Sequence, residues 1–184
     1  MDYRIQQTDL ALLWKAGVNE DDMRHCVWVA EKALQIARRT GRELDLELVG
    51  RGALLHDLGK ALTHSFQHGE LGAEIGRKMG LPPAITSLME KHFHGGLSLE
   101  EARELGLPEI DYRPRRLEER IVIYADRLVD IITEGLVALE DEQDAERNFE
   151  EILRGHPHYG KNTRTMERYL GYHREIQGLI KANS

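Results

Sequence analysis

The chain has 184 residues, 41% hydrophobic and 31% charged, a composition that suits one globular domain with a core large enough to fold unaided. Its one cysteine, Cys26, excludes an internal disulfide, and no signal-like segment or run of eighteen apolar residues occurs, so we expect a cytoplasmic protein with no membrane partner. The net charge of −7 makes nucleic acid an improbable partner, whereas a local basic patch would still hold a small phosphorylated ligand.

Apolar residues recur at helical spacing along almost the whole chain, and glycine or proline separates most of these segments. No stretch shows the alternation of a strand bounded by hairpin turns. The sequence therefore predicts an all-α fold, a compact helical bundle formed by one domain over residues 1–184. The predicted helices cover residues 8–17, 21–39, 45–57, 69–79, 83–93, 98–105, 117–140, 144–154 and 163–182.

Five predicted helices place histidine or aspartate side chains on inward faces. Taken singly, each histidine is best interpreted as an ordinary core or surface residue, and Asp126 as the ion-pair partner of Arg127 or Arg120. Taken together, they favour a metal site, because imidazole and carboxylate suit Fe, Mn, Co, Ni or Zn, and a bound cation offsets the cost of burying carboxylates. The candidate ligands are His25, His56, Asp57, His68, His92 and Asp126.

Four of these residues carry a family resemblance. His25, the doublet His56–Asp57 in "LLHDLGKA" and Asp126 in "YADRLVD" resemble the H…HD…D pattern of the HD-domain metal-dependent phosphohydrolase superfamily. The doublet with its apolar lead-in and the following Gly-Lys is the specific part, closest to the subgroup with HDIGK. The resemblance covers residues 20–135 as an HD-domain core and leaves 136–184 as a C-terminal helical extension.

Two narrower similarities accompany the superfamily pattern. The segment "HDLGKALTHSFQHGELGAEI" is similar to the corresponding region of ribonuclease Y, although the histidine spacing differs, and to that of HD-type diadenosine tetraphosphate hydrolases. The Gly-Tyr-Pro signature of the cyclic-di-GMP phosphodiesterase branch is absent, since Leu97 follows "HFHGG". We therefore set that branch aside.

The resemblance implies one or two divalent ions, of Fe, Mn, Co, Ni or Zn, with Mg as a further alternative. The first ion would be held by His25, His56, Asp57 and Asp126. Asp57 would bridge to a second ion, completed by His68 and His92. His94 is the alternative to His92 and is otherwise a candidate substrate contact. A divalent cation lowers the pKa of water from ~15.7 towards ~7, which makes hydroxide available for attack on a phosphoester. Asp57 is thus a predicted catalytic residue.

Several further side chains are candidate substrate contacts. Lys60, the nearest fixed cation, would neutralise phosphate oxygens in catalysis, with a solvated helix end as its equal alternative. His64 is interpreted as a substrate-facing or an exposed loop residue, and Asp130 as orienting a ligand or pairing with Arg127. Arg116 would line the mouth of the site. Lys161 and Arg164, in "HPHYGKNTRTMERYLGYH", form either a phosphate site or, the favoured interpretation, a basic face that offsets the acidic run 139–151.

Three functions follow from these assignments. The favoured one is a metal-dependent phosphohydrolase that cleaves a phosphoester bond of a small nucleotide or related molecule. An RNA phosphodiesterase is disfavoured by the net charge and by the lack of a recognisable nucleic-acid module. A non-catalytic HD-type sensor of metal and nucleotide is disfavoured by the completeness of the ligand set.

Overall fold

The computed structural model describes residues 3–183, which form α-helices, two 3₁₀ helices and no strand, and this confirms the all-α prediction. The α-helices are α1 Gln7–Ala16, α2 Glu20–Arg39, α3 Leu46–Leu55, α4 His68–Lys78, α5 Pro83–Lys91, α6 Leu99–Glu104, α7 Leu117–Thr133, α8 Glu142–Arg147, α9 Phe149–Gly155, α10 Pro157–Gly160 and α11 Thr163–Asn183. The 3₁₀ helices are η1 Leu58–Ala61 and η2 Phe93–Gly95.

Polar side chains at the N-caps explain where several helices begin. Asn19 Oδ1 accepts a hydrogen bond from Asp22 N at 2.9 Å at the start of α2, and Asp45 Oδ1 accepts one from Leu48 N at 3.0 Å at the start of α3. Such side chains satisfy N–H groups that have no partner within the helix. The site-bearing helices therefore begin at positions encoded locally.

The core forms around α2, which packs against α3 on one side and α7 on the other. Val29, Ala33 and Ile36 on α2 have no exposed surface. Burying a Val or Ile side chain stabilises a fold by about 1.5–3 kcal/mol, so this interface holds together the three helices that carry His25, His56 and Asp126.

Three predicted helices were too long or wrongly joined. Helix 117–140 ends at Thr133, because Gly135 adopts a left-handed φ of 67° that favours glycine and stops the helix. Helix 144–154 is two helices, α8 and α9, separated at Asn148. Helix 45–57 ends at Leu55, and the chain continues through His56 and Asp57 into η1.

Gly59, in the motif "HDLGK", brings η1 against α4. A Cβ at this position would lie 1.9 Å from the His68 carbonyl oxygen and 2.6 Å from Gly72 N. Only glycine permits this approach, which sets α4 and its first residue, His68, close to Asp57. The glycine is thus needed for packing between elements.

The C-terminal extension completes the same bundle. Helix α11 packs on α7 and on η2, where Arg168 Nε donates to the His94 carbonyl at 3.3 Å and the Tyr172 hydroxyl donates to the Gly95 carbonyl at 2.7 Å. Across residues 3–183, no helix combines the length and the apolar character that a membrane span requires.

Candidate metal centre

The six predicted ligands converge, and most of them lie at helix ends. His56 is the C-cap of α3, His68 is the first residue of α4, and His92 is the C-cap of α5. Asp57 follows His56, and His25 and Asp126 lie within α2 and α7. Together with neighbouring residues, five of the six line a cavity of about 180 Å³, and His56 lies behind Asp57.

The two carboxylate oxygens of Asp57 face two different sets of histidines. Asp57 Oδ2 lies 3.2 Å from His56 Nε2 and 3.8 Å from His25 Nε2, whereas Oδ1 lies 3.3 Å from His68 Nε2 and 3.4 Å from His92 Nε2. Each set, with Asp57, brings its ligand atoms within 4.8 Å of one another. The carboxylate therefore stands between two potential cation positions.

Asp126 adds a second carboxylate to the first set. Its Oδ1 lies 3.0 Å from His25 Nε2 and 3.5 Å from His56 Nε2. His25, Asp126 and Asp130 form a third group of that kind within the described chain. The side of the cavity with Asp126 therefore carries more negative charge than the side with His68.

Three of the histidines make the same backbone hydrogen bond, which determines their tautomers. A carbonyl oxygen only accepts, so the imidazole Nδ1 of each must carry a proton, and in the neutral ring Nε2 keeps its lone pair. This arrangement is typical of histidines that bind metal through Nε2. The bonds are His56 to Ala53 O at 2.6 Å, His68 to Ser65 O at 2.6 Å and His92 to Met89 O at 2.7 Å.

The lone pairs left on Nε2 make the fit to a metal chemically testable in this structure. His68 Nε2 and His92 Nε2 lie 2.8 Å apart, although in these tautomers neither has a proton to donate. His56 Nε2 is buried and makes no hydrogen bond, and the groups that face it are the carboxylates of Asp57 and Asp126, which only accept. A divalent cation in each set would offer these atoms the electron-pair acceptor that they lack, so the residues fit a two-ion centre.

The charges of the centre reinforce one another. Burial alone would raise the pKa of Asp57, but contacts with His56, His68 and His92 outweigh burial and hold that pKa well below its usual range. Burial likewise acts to lower the pKa of His56, but Asp57 and Asp126 outweigh it and raise that pKa, so these carboxylates favour a cation at His56 Nε2, either a proton or a metal ion. For His92, burial prevails and lowers the pKa. Asp57 is therefore ionised, as a bridging ligand must be.

Lys60 and His64 lie beside the centre, and each contacts a carboxylate. Lys60 Nζ is 2.5 Å from Asp57 Oδ2 and 3.7 Å from Asp22 Oδ1. His64 Nε2 is 2.9 Å from Asp22 Oδ2, and its side chain is 61% exposed. Lys60 thus stabilises the charge of Asp57 directly, and the structure favours the exposed-loop interpretation of His64.

The remaining lining of the cavity, which we call the opposite wall, includes His94, Arg127, Lys161 and Tyr169. From the sequence, Arg127 was expected only as an ion-pair partner. The side chain of Arg127 is only 7% exposed; its Nη1 donates to Asp130 Oδ2 at 2.7 Å and its Nη2 to the Tyr169 hydroxyl at 3.0 Å. Its guanidinium carbon lies 4.9 Å from the centre of the Tyr169 ring. An arginine within the apolar run "IVIYADRLVDII", next to Asp126, was the available signal.

Asp130 connects this wall to the centre. Its Oδ1 lies 3.8 Å from His25 Nδ1. Burial and the nearby Asp126 charge raise the pKa of Asp130 to about 6. The structure thus combines both interpretations of Asp130, since it pairs with Arg127 and faces a candidate ligand.

His94 and Lys161 also line the cavity, whereas Arg116 and Arg164 do not. Arg116 is the N-cap of α7, ten residues before Asp126 and so about 15 Å away along the helix. His94 belongs to none of the described metal-ligand groups, and His92 occupies that position instead.

Arg164 and Arg168 of α11 do not offset the acidic run 139–151, although Arg174, just beyond the quoted segment, contacts Glu150 of that run at 3.2 Å. Arg164 Nη1 lies 3.3 Å from Glu104 Oε2, and Arg168 Nη1 lies 2.7 Å from Glu101 Oε2. Both partners belong to α6. The favoured interpretation, a basic face that offsets the acidic run, is therefore wrong for Arg164. Lys161 lines the cavity instead.

Comparison with known proteins gives a family and several relatives. The family model described as "HD domain" matches residues 23–129. An uncharacterized protein of Methanocaldococcus jannaschii is 39% identical over 166 residues, which is 89% of this chain and 92% of the relative. A tRNA (cytidine(56)-2'-O)-methyltransferase of Thermoplasma volcanium is 41% identical over 123 residues, which is 67% of this chain and 36% of that enzyme.

Other similarities cover less of the sequence or show the fold alone. Ribonuclease Y of Pseudothermotoga lettingae is 37% identical over 83 residues, which is 44% of this chain and 16% of that protein. The HD domain of the Listeria monocytogenes phosphodiesterase PgpH, solved in complex with cyclic-di-AMP, superimposes with a TM-score of 0.62 at 18% identity, covering 96% of this chain and 94% of that one.

Proposed function

The chain belongs to the HD-domain superfamily of metal-dependent phosphohydrolases, and we propose that it hydrolyses a phosphoester bond of a small nucleotide or related phosphorylated molecule. The observation that carries the proposal is the position of Asp57, whose two oxygens face two separate sets of histidine lone pairs. Two cations bridged by one carboxylate form the arrangement that many phosphoesterases use.

The residues of the centre have distinct proposed roles. His25, His56, Asp57 and Asp126 would hold one divalent ion, and Asp57, His68 and His92 a second. When bound, such ions act as Lewis acids and make water acidic enough to yield hydroxide near neutral pH. Lys60, at 2.5 Å, offsets part of the negative charge on Asp57. Asp130 faces His25 Nδ1 and helps to orient that ring.

A small substrate is favoured by the size of the cavity and by charge. The cavity of about 180 Å³ is too small for a whole nucleotide, so it would take the phosphate groups and the rest of the substrate would extend from its mouth. The net charge of −7 opposes binding of a long polyanion. The structural neighbour PgpH was solved with cyclic-di-AMP, which supports a nucleotide as the substrate class.

An RNA phosphodiesterase is the second candidate, because ribonuclease Y shares 83 aligned residues with this chain. A sensor that binds metal and nucleotide without turnover is the third. The complete set of six converging ligands speaks against the sensor, since a sensor has no need to retain every one of them.

The test is a screen for hydrolysis of phosphoester substrates, with Mn, Fe, Co, Ni or Mg added to separate reactions. Substrates would include nucleoside mono-, di- and triphosphates, cyclic dinucleotides, a chromogenic phosphodiester and a single-stranded RNA. We expect metal-dependent cleavage of a subset of the small nucleotides and none with Asp57→Ala. Cleavage of RNA alone would support the second candidate, and tight nucleotide binding without any turnover would support the sensor.

A further inference from the structure

Two residues other than glycine have positive φ within residues 3–183, and both line the cavity. His94 has φ 49° and Lys161 has φ 62°. A side chain in this region of backbone space is strained, and such strain persists where the surrounding structure holds it and function benefits from it. Their occurrence on one wall of one cavity points to a role in that cavity.

Lys161 occupies the more unusual backbone conformation. Its φ of 62° and ψ of −73° form a γ-turn with positive φ, and Asn162 N donates to Gly160 O at 2.8 Å across it. This hand of γ-turn is rare and strained for a residue with a side chain. Glycine would adopt it more easily, so the lysine side chain is the feature to explain.

Two nitrogen atoms of the cations on this wall, Lys161 Nζ and Arg127 Nε, have no anionic partner within the described chain. Lys161 forms no hydrogen bond and no ion pair through its side chain within the described chain. Arg127 Nε is buried and has no hydrogen-bond partner, although Arg127 pairs with Asp130 through Nη1. Lys60, in contrast, is held against Asp57. Positive charge available to a ligand is thus concentrated on the wall with Arg127.

The turn that carries His94 is fixed by the C-terminal extension. The His94 ring stacks on Phe93 with centroids 3.9 Å apart and planes at 13°. Arg168 of α11 donates to the His94 carbonyl at 3.3 Å. His94, Arg127 and Lys161 all line the same cavity. The extension thereby supports the turn at His94 and contributes Lys161 and Tyr169 to the cavity lining, beyond the matched residues 23–129.

We infer that Lys161 and Arg127 form an anion position that binds a substrate phosphate other than the one held at the His/Asp centre. Asp130 lies between His25 and Arg127, so the two positions are separated by a carboxylate. The ligand class is a compound with two phosphate groups, such as a nucleoside diphosphate or a dinucleotide. This inference rests on the proposed function and names the substrate feature that the C-terminal extension selects.

The test compares inorganic phosphate with pyrophosphate as ligands of the metal-saturated full chain. Calorimetric titrations, corrected with a protein-free blank for metal binding by pyrophosphate, give the two affinities. We expect pyrophosphate to bind about tenfold tighter or more, because it engages a second set of charge-assisted hydrogen bonds. Lys161→Ala should remove most of that preference while changing phosphate affinity less than about threefold.

Three variants control the result. Lys161→Arg keeps the charge and should retain the preference. Arg154→Ala removes a cation of α9 that pairs with Glu150 at 2.8 Å, away from the cavity, and should match the wild type. Lys161→Gly removes the charge as Lys161→Ala does but relieves the backbone strain, so its Tm should exceed that of Lys161→Ala by about 2 °C or more.

The outcomes separate this inference from the proposed function. If Lys161→Ala lowers the affinities for phosphate and pyrophosphate equally, or lowers neither, the second anion position is overturned, even if the wild type hydrolyses phosphoesters. A retained, Lys161-dependent preference for pyrophosphate in a protein without turnover keeps the anion position and overturns the hydrolase. Equal Tm values for the Gly and Ala variants overturn the strain that the inference assigns to Lys161.

Discussion

The two walls of the cavity are built in different ways. The His/Asp wall places His56, His68 and His92 at helix ends, each fixed by a hydrogen bond to a carbonyl three residues earlier. The opposite wall depends on a turn at His94 and a γ-turn at Lys161, both with positive φ. The ends of regular helices thus position the proposed metal ligands. Turns with unusual backbone angles position the residues that we propose select the substrate.

The largest effect that follows from this contrast is expected at Asp57. Asp57→Ala removes the oxygens that face both histidine sets, so bound metal should fall to near zero and turnover by about a thousandfold or more. Elemental analysis and phosphate release measure the two losses, with circular dichroism to show that the helices remain. Full activity in this variant would defeat the metal-centre account.

Substitution of His68 should separate the two ion positions. His68 belongs to the set with His92, and it has no contact with His25 or Asp126 among the described ion pairs. His68→Ala should therefore lower the metal content from about two ions per chain to about one, with a smaller loss of turnover than Asp57→Ala.

His158→Ala is the matched control for His68→Ala. His158 is half-exposed on α10 and contacts Glu134 at 2.8 Å, outside the cavity. Its removal should leave the metal content unchanged. Loss of both ions from His68→Ala alone would show that the centre assembles as one unit.

Gly59 tests how the His/Asp wall is held together. Gly59→Ala would bring a Cβ within 1.9 Å of the His68 carbonyl, so η1 and α4 must move apart. We expect a loss of about 2–4 kcal/mol in the free energy of unfolding, measured by urea denaturation. Gly171→Ala, at an open position in α11, should instead gain about 0.5–1 kcal/mol. Equal effects of the two variants would contradict the close packing at Gly59.

The smallest effect concerns the ion pair that anchors the opposite wall. Burial alone would raise the pKa of Glu101, but hydrogen bonds from Arg168 and Ser98 outweigh burial and lower it to about 2. Because the folded pKa lies below the unfolded value of 4.5, this stabilisation is complete above pH ~4.5 and is lost as the pH falls toward about 2.

Glu101→Gln should therefore lower the free energy of unfolding by about 1 kcal/mol at pH 7, a figure reduced for solvent screening. The difference from the wild type should narrow between pH ~4.5 and ~2, as urea titrations at several pH values would show. A difference in the free energy of unfolding that stays constant across this pH range would show that ionised Glu101 does not stabilise this wall.

The contrast between the walls also explains what the sequence predicted. His25, the His56–Asp57 doublet and Asp126 follow a family pattern, and their convergence depends on three long helices whose periodicity is strong. Their role as ligands stays a prediction. His92, rather than His94, joins this group, because the helix α5 ends at Lys91 and the chain turns at His94.

The opposite wall depends on contacts that periodicity does not encode. The hydrogen bond from Arg168 to the His94 carbonyl joins segments 74 residues apart in sequence, and the positive φ of Lys161 is a conformation that side-chain spacing does not predict. The prediction that Arg116 lines the mouth of the site was wrong, because Arg116 lies at the start of α7, ten residues before Asp126. The breaks at Gly135 and Asn148 interrupt helices whose apolar spacing continues through them.

The central claim is that the His/Asp centre binds catalytic metal. The most direct measurement is elemental analysis of the full chain purified without chelator, repeated after addition of Mn, Fe, Co, Ni and Mg in turn and paired with phosphate release from nucleotides. The account predicts about two ions per chain and turnover that follows metal content. Less than about a tenth of an ion per chain under every condition, with no turnover, would contradict it.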